Sequence, residues 1–133
     1  MSQINPLKIL NAKILIPCEF TKCQQVGIDL TISEDIEIIH GNSKNILLNE
    51  IVKLPDNIYA TFTHRSSFNR KGILITGSVY DCGYCGVVGC TIYNLSGSVL
   101  IIKKNERVGQ MLFYQADAAS KYEGRYQNEF LNI

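Results

Sequence analysis

The densest set of reactive side chains lies in "DCGYCGVVGC", residues 81–90. It carries the carboxylate of Asp81, the ring of Tyr84, three glycines and three of the chain's five cysteines. A carboxylate held in a turn can orient a water molecule and take its proton, which is general-base chemistry. The thiols point elsewhere, to a metal or redox centre. Cys82 and Cys85 have C-x-x-C spacing, and Cys90 follows five residues later. A structural zinc site needs four ligands, usually two such pairs or one pair plus spaced histidines. Cys18 and Cys23 lie far upstream, while His40 and His64 have no partner at a fitting distance along the chain. A redox pair calls for a helix N-terminus in a βαβ setting. The thiols are therefore expected as small apolar strand residues. Aspartate is common in turns for structural reasons alone. Its company singles Asp81 out: Gly77, Gly83 and Gly86 let a ligand approach the backbone on either side of Tyr84.

Two further stretches carry polar chemistry. "THRSSFNRKG", residues 63–72, sets Arg65 before Ser66 and Ser67, with Arg70 and Lys71 close behind. A guanidinium fork and two hydroxyls suit phosphate oxygens. A solvated serine turn accounts for the same residues equally well, and this stretch alone does not choose. "KKNERVGQMLFY" places Arg107 and Gln110 three apart. In a regular strand that spacing sends them to opposite faces.

The elements that must position these groups read as strands. "AKILIP", "VGIDLTI", "IEIIH", "NILLN", "IYATFTH", "GILITGSV", "CTIYNL", "SVLIIK" and "VGQMLFY" are short, and most are rich in Ile, Val, Thr, Tyr and Phe. Turn residues separate them in "HGNSKN", "LPDN", "NLSGS" and "KKNE". No segment sustains helical periodicity; "NPLKILN" and "SFNRKG" could each hold one turn. The expectation is a single all-β domain over residues 1–121, a sandwich or barrel of about ten strands. Residues 122–133 lack alternation but hold Tyr122, Tyr126, Phe130 and Leu131, so this tail is expected to dock rather than fray.

Composition bounds the function. The chain has 133 residues, net charge +1 and 46% hydrophobic residues, enough to bury a core without staples. No basic run announces a nucleic-acid partner, and no stretch approaches the ~20 apolar residues that span a bilayer. The start shows no signal peptide, so a cytoplasmic, intracellular protein with reduced thiols is expected. Abundant Ile, Asn and Lys fit an AT-rich genome, cellular or viral.

Taken together and in order, these stretches resemble the motifs of the dUTP diphosphatase (dUTPase) and dCTP deaminase superfamily, most closely its archaeal-type dUTPases. "VGIDLTI", "HRSSFNRKG", "SVYDCGYCGVVGCTIYN", "KKNERVGQMLF" and "YEGRYQNE" follow one another as five collinear motifs. The resemblance implies a distorted β-barrel or jelly roll of the β-clip type. It also implies a homotrimer with active sites at subunit interfaces, and hydrolysis of dUTP to dUMP and pyrophosphate with Mg2+ on the triphosphate. On that resemblance Asp81 activates the attacking water, Tyr84 lies under the deoxyribose, and backbone groups of residues 75–84 read the base. Arg65, Ser66, Ser67 and Gln110 take phosphate-binding roles, and Asp29 arranges the metal's water shell. Arg125, Tyr126 and Phe130 are expected in a lid over the nucleotide.

The same resemblance separates hydrolase from deaminase. Deaminases of this superfamily carry a glutamate ten residues beyond the aspartate, and here that position is Thr91. A threonine hydroxyl does not shuttle protons near neutral pH. Ser66 and Arg70, the deaminase partners, are nevertheless present. Three departures from common dUTPases stand out: Cys85 in place of a charged residue, Gly83 in place of a second aspartate, and "YEGRYQNEF" in place of a glycine-rich closing motif. The alternatives to dUTP hydrolysis are dCTP deamination, disfavoured by Thr91, and a non-catalytic nucleotide-binding or regulatory trimer.

Overall fold

Short β-branched runs cannot shield a core singly, and the chain pairs them into sheets. The computed structural model describes residues 3–117, 122–124, 126–128 and 131. In chain order the elements are α1 (Pro6–Asn11), β1 (Leu15–Ile16), β2 (Lys22–Cys23), β3 (Ile28–Thr31), β4 (Ile36–Ile38) and β5 (Ser43–Lys53). β6 (Ile58–His64), α2 (Ser66–Arg70), β7 (Ile73–Thr76), β8 (Val79–Tyr80), β9 (Cys85–Asn94), β10 (Leu100–Ile102) and β11 (Arg107–Gln115) follow. The two helical turns are the two expected. Asn5 caps α1 by accepting the Leu7 N–H at 2.9 Å, and Pro6 supplies a preset φ at its start.

One sheet has the order β1-β5-β9-β7, a second the order β2-β3-β11-β6-β8, and β10 pairs with β4. Every named pairing is antiparallel. Alternation decides which side chains enter the core between the sheets. Ile46, Leu48 and Val52 of β5 and Val88, Cys90 and Ile92 of β9 face Leu30, Phe62, Met111 and Phe113 from the other sheet. The result is the expected all-β distorted barrel of jelly-roll type. No helix among the described residues is long and apolar enough to cross a membrane.

Two features go beyond the strand runs read from the sequence. β5 continues past "NILLN" to Lys53, and its period of two carries Glu50 inward to 0% exposure. Buried carboxylates are costly unless their oxygens are bonded. Glu50 meets that condition with neutral donors: the Thr21 hydroxyl at 2.5 Å, the Thr31 hydroxyl at 2.8 Å and the Thr31 N–H at 3.0 Å. The second is in β11, where the alternation itself breaks. Its register against β3 shifts between Arg107 and Gly109, leaving Val108 and Gly109 both buried. This bulge inserts one residue into the alternation. Arg107 and Gln110 consequently reach the same carboxylate, that of Asp29, and the expectation of opposite faces is corrected.

Candidate active site

The hairpin from β8 to β9 begins with a tight turn over residues 81–84, closed by the Tyr84 N–H on the Asp81 carbonyl at 3.0 Å. Its third residue, Gly83, has φ +86°, a left-handed conformation that glycine adopts without steric cost. The turn is tied to the loop before β6. Gly83 N–H donates to Pro55 O at 3.1 Å, and Leu54 N–H donates to Tyr84 O at 2.9 Å. Asp81 is exposed on this fixed backbone, whereas Tyr84 is only 6% exposed. Its ring folds back over Gly86, where any side chain would collide with the Tyr84 hydroxyl.

Asp81 and Tyr84 share a pocket of about 640 Å³ with Asn45, Leu47, Ser78, Val79, Tyr80, Val87, Gly89, Thr91, Tyr122 and Tyr126 among its lining. That volume suits a ligand of nucleotide size. The floor is the outer face of β5 and β9, and the walls are aromatic. The Tyr80 and Tyr84 ring centroids lie 5.5 Å apart, and the Tyr122 ring meets Tyr84 edge-on at 5.4 Å. Thr91 donates its hydroxyl to Asn45 Oδ1 at 2.7 Å.

The described tail residues lie against this same hairpin. Tyr122 N–H donates to Cys82 O at 2.6 Å. Gln127 spans the turn, donating to Gly83 O at 2.8 Å and accepting from Cys85 N–H at 2.6 Å. Asn128 N–H adds a bond to Cys85 O at 2.6 Å. Arg125 and Phe130, two of the expected lid residues, lie outside the described residues.

The phosphate-binding candidates form a separate group where β6, α2 and β11 meet. Thr63 pairs with Gln110 and His64 with Gly109, which sets α2 beside the start of β11. Arg65 precedes α2 and donates to the Arg107 carbonyl at 3.1 Å, while Ser66 and Ser67 open the helix and are exposed. Asp29 is 4% exposed and engaged by Arg107 at 3.0 Å, Gln24 at 2.8 Å and Gln110 at 3.5 Å. Arg65, Ser66, Ser67, Gln110 and Asp29 are not part of the hairpin pocket's lining. Within one chain the expected site is thus two groups, a hairpin half and an arginine–serine half.

The cysteines do not form a metal centre among the described residues, where no group of three or more His, Cys, Asp or Glu is placed to hold an ion. All five are free thiols. Burial pushes the Cys90 thiol up to about 12. Burial, with the carboxylates of Asp81 and Asp56 adding to it, raises Cys82. Burial also pushes Cys18 upward, but hydrogen bonds to Thr21 and Thr31 outweigh it and leave this thiol lowered. Three residues of the site escaped the sequence reading: Tyr80, Asn45 and Gln127. Tyr80 borders Asp81 in the third motif, yet its partner becomes visible only when the sheets are assembled.

This fold is shared with solved nucleotide enzymes. EIAV dUTPase superposes with a TM-score of 0.68 at 24% identity, covering 90% of this chain and 99% of that one. The dCTP deaminase of Agrobacterium tumefaciens gives a TM-score of 0.76 at 13% identity, covering 86% of this chain and 48% of that one. The chain thus has the fold of the dUTPase and dCTP deaminase group. Within that group it belongs to the dUTPase family, whose model matches residues 15–131. Curated relatives include probable deoxyuridine 5'-triphosphate nucleotidohydrolases of Methanococcoides burtonii and Methanosarcina acetivorans. The first is 37% identical over 63% of this chain and 51% of its own length. The second is 40% identical over 72% of this chain and 58% of its own length. A dCTP deaminase of Pyrobaculum islandicum is 24% identical over 87% of this chain and 65% of its own length. The chain spans about half the length of the curated dUTPase relatives it matches.

Proposed function

We propose that the protein hydrolyses dUTP to dUMP and pyrophosphate, with Asp81 as general base. The observation that carries this reading is an exposed carboxylate on a rigid turn at the edge of an aromatic-walled pocket. Asp81 takes a proton from a water whose oxygen bonds to the α-phosphorus as the bond to the bridging oxygen breaks. Pyrophosphate leaves, and the proton passes from Asp81 to solvent. Arg65, Ser66, Ser67 and Gln110 supply donors to the phosphates, and Tyr84 packs against the sugar. Family membership and the names of the archaeal relatives support the choice of nucleotide.

Mg2+ fits this donor set as a passenger on the triphosphate. The described carboxylates do not cluster into a cage, and Mg2+ is commonly held by substrate phosphates and water with few protein ligands. It would neutralise charge building on the phosphates. Asp29, its oxygens already bonded to Arg107, Gln24 and Gln110, would act on it only through water.

Two halves that do not meet within one chain favour a homotrimer whose sites form between subunits. The test of the activity is pyrophosphate release from dUTP, dCTP, dTTP and UTP with Mg2+, in wild type and Asp81→Asn. Release from dUTP is expected, together with a fall in kcat of at least roughly 100-fold in Asp81→Asn at near-normal nucleotide binding. No release from dUTP by wild type refutes the reading.

A further inference from the structure

β9 loses its second neighbour part of the way along. β7 covers it only where Ile73 to Thr76 pair with Asn94 to Thr91. At Gly89 that edge is open, and a side chain from the other sheet closes it. The Tyr80 hydroxyl donates to Gly89 O at 2.9 Å and accepts from Gly89 N–H at 3.2 Å. Tyr80 sits on β8, opposite Ala60 of β6, so this phenol reaches from one sheet to the other. Both residues line the pocket, and at 89 no side chain shields the backbone.

One hydroxyl here satisfies a backbone donor and a backbone acceptor together. A nucleobase edge with a donor beside an acceptor, such as the imide edge of uracil, makes the same pair of bonds. We propose that the Tyr80 hydroxyl holds the place of a nucleobase edge on Gly89, and that the base of the bound nucleotide displaces it. The inference rests on the nucleotide-hydrolase reading above. It makes Tyr80 a built-in competitor for the base at Gly89. A base presenting both donor and acceptor replaces both bonds, whereas one lacking either leaves a Gly89 group unpaired, which is costly. It also means that the phenol taxes every binding event, because the binding-competent state is the one in which Tyr80 has let go.

Tyr80→Phe keeps the ring beside Tyr84 and removes only the hydroxyl. The experiment compares wild type and Tyr80→Phe in calorimetric binding of α,β-imido-dUTP and in steady-state hydrolysis of dUTP, with melting temperatures alongside. Binding should tighten roughly three- to tenfold in the variant, with the gain in KM and not in kcat. A phenol that merely ties the sheets together predicts a lower melting temperature with affinity unchanged or weakened, and that result overturns the proposal. Should Tyr80→Phe not fold, a crystal structure of wild type with α,β-imido-dUTP decides: a hydroxyl still on Gly89 with the base elsewhere overturns it. Wild type that turns over dUTP without any gain in the variant defeats this inference alone. Failure of both chains to release pyrophosphate defeats the hydrolase reading and the inference with it.

Discussion

Cys90 sits on the core face of β9, two residues from Val88 and two from Ile92, and is 8% exposed. An isolated thiolate there would lose its hydration with no compensating charge, so burial raises the thiol from 9.0 to about 12. The sign of the linkage follows from that direction. The folded state holds this proton more tightly than the unfolded chain, so the associated stability is intact below pH 9. It is then lost as pH rises from about 9 through 12. By pH 10.5 the loss attributable to Cys90 should reach about 2 kcal/mol. Urea unfolding of wild type and Cys90→Ala at pH 8 and 10.5 measures it, with the variant losing that much less. Equal losses would mean that the thiol is not buried as described. Four residues before the start of the same strand, the hairpin turn exposes Asp81 instead. Burial makes one acid inert while exposure keeps the other available.

At the scale of elements, β5 shows how a strand's period can force a charge into the core. Ile46, Leu48, Glu50 and Val52 share one face, and the carboxylate must find donors there. Thr21 and Thr31 supply them from a neighbouring loop and from β3. Glu50→Ala strands two hydroxyls and an N–H and opens a cavity, at a cost of about 3–4 kcal/mol. Glu50→Gln keeps the shape and one acceptor and should cost about 1–2 kcal/mol. Chemical denaturation of both variants checks the order, and an alanine variant losing under about 1 kcal/mol contradicts the network. Glu50 was within reach of the sequence reading, since alternation continued through "EIVK" places it inside. The apolar run "NILLN" ended the strand early. Asp81 and Tyr84 were legible because a turn, its glycines and its carboxylate are all local in sequence. The convergence of Arg107 and Gln110 on Asp29 was not, because it depends on a bulge set by pairing with β3. Nor was the bond from Tyr80 to Gly89, which joins two sheets.

At the scale of the whole molecule, the decisive fact is that one chain keeps its aspartate hairpin and its arginine–serine turn in separate groups. If each site takes the hairpin half from one subunit and the Arg65 half from its neighbour, two defective chains can repair each other. Asp81→Asn removes the base but leaves Arg65, and Arg65→Ala does the reverse. In a trimer mixed at random from equal amounts, a site is whole only when the first half comes from the Arg65→Ala chain and the second from the Asp81→Asn chain. That happens in about a quarter of sites, since each choice is even. Purification of co-expressed, differently tagged chains through both tags removes the homotrimers and leaves mixed trimers with one whole site of three. Turnover should therefore return to about a third of wild type, while each homotrimer stays near background. Sedimentation of the same samples reports the assembly independently. A mixed trimer as inactive as its parents would require the halves to meet within one chain, which would need the β6–α2 turn to swing across to the hairpin. That movement would break the Arg65 bond to the Arg107 carbonyl.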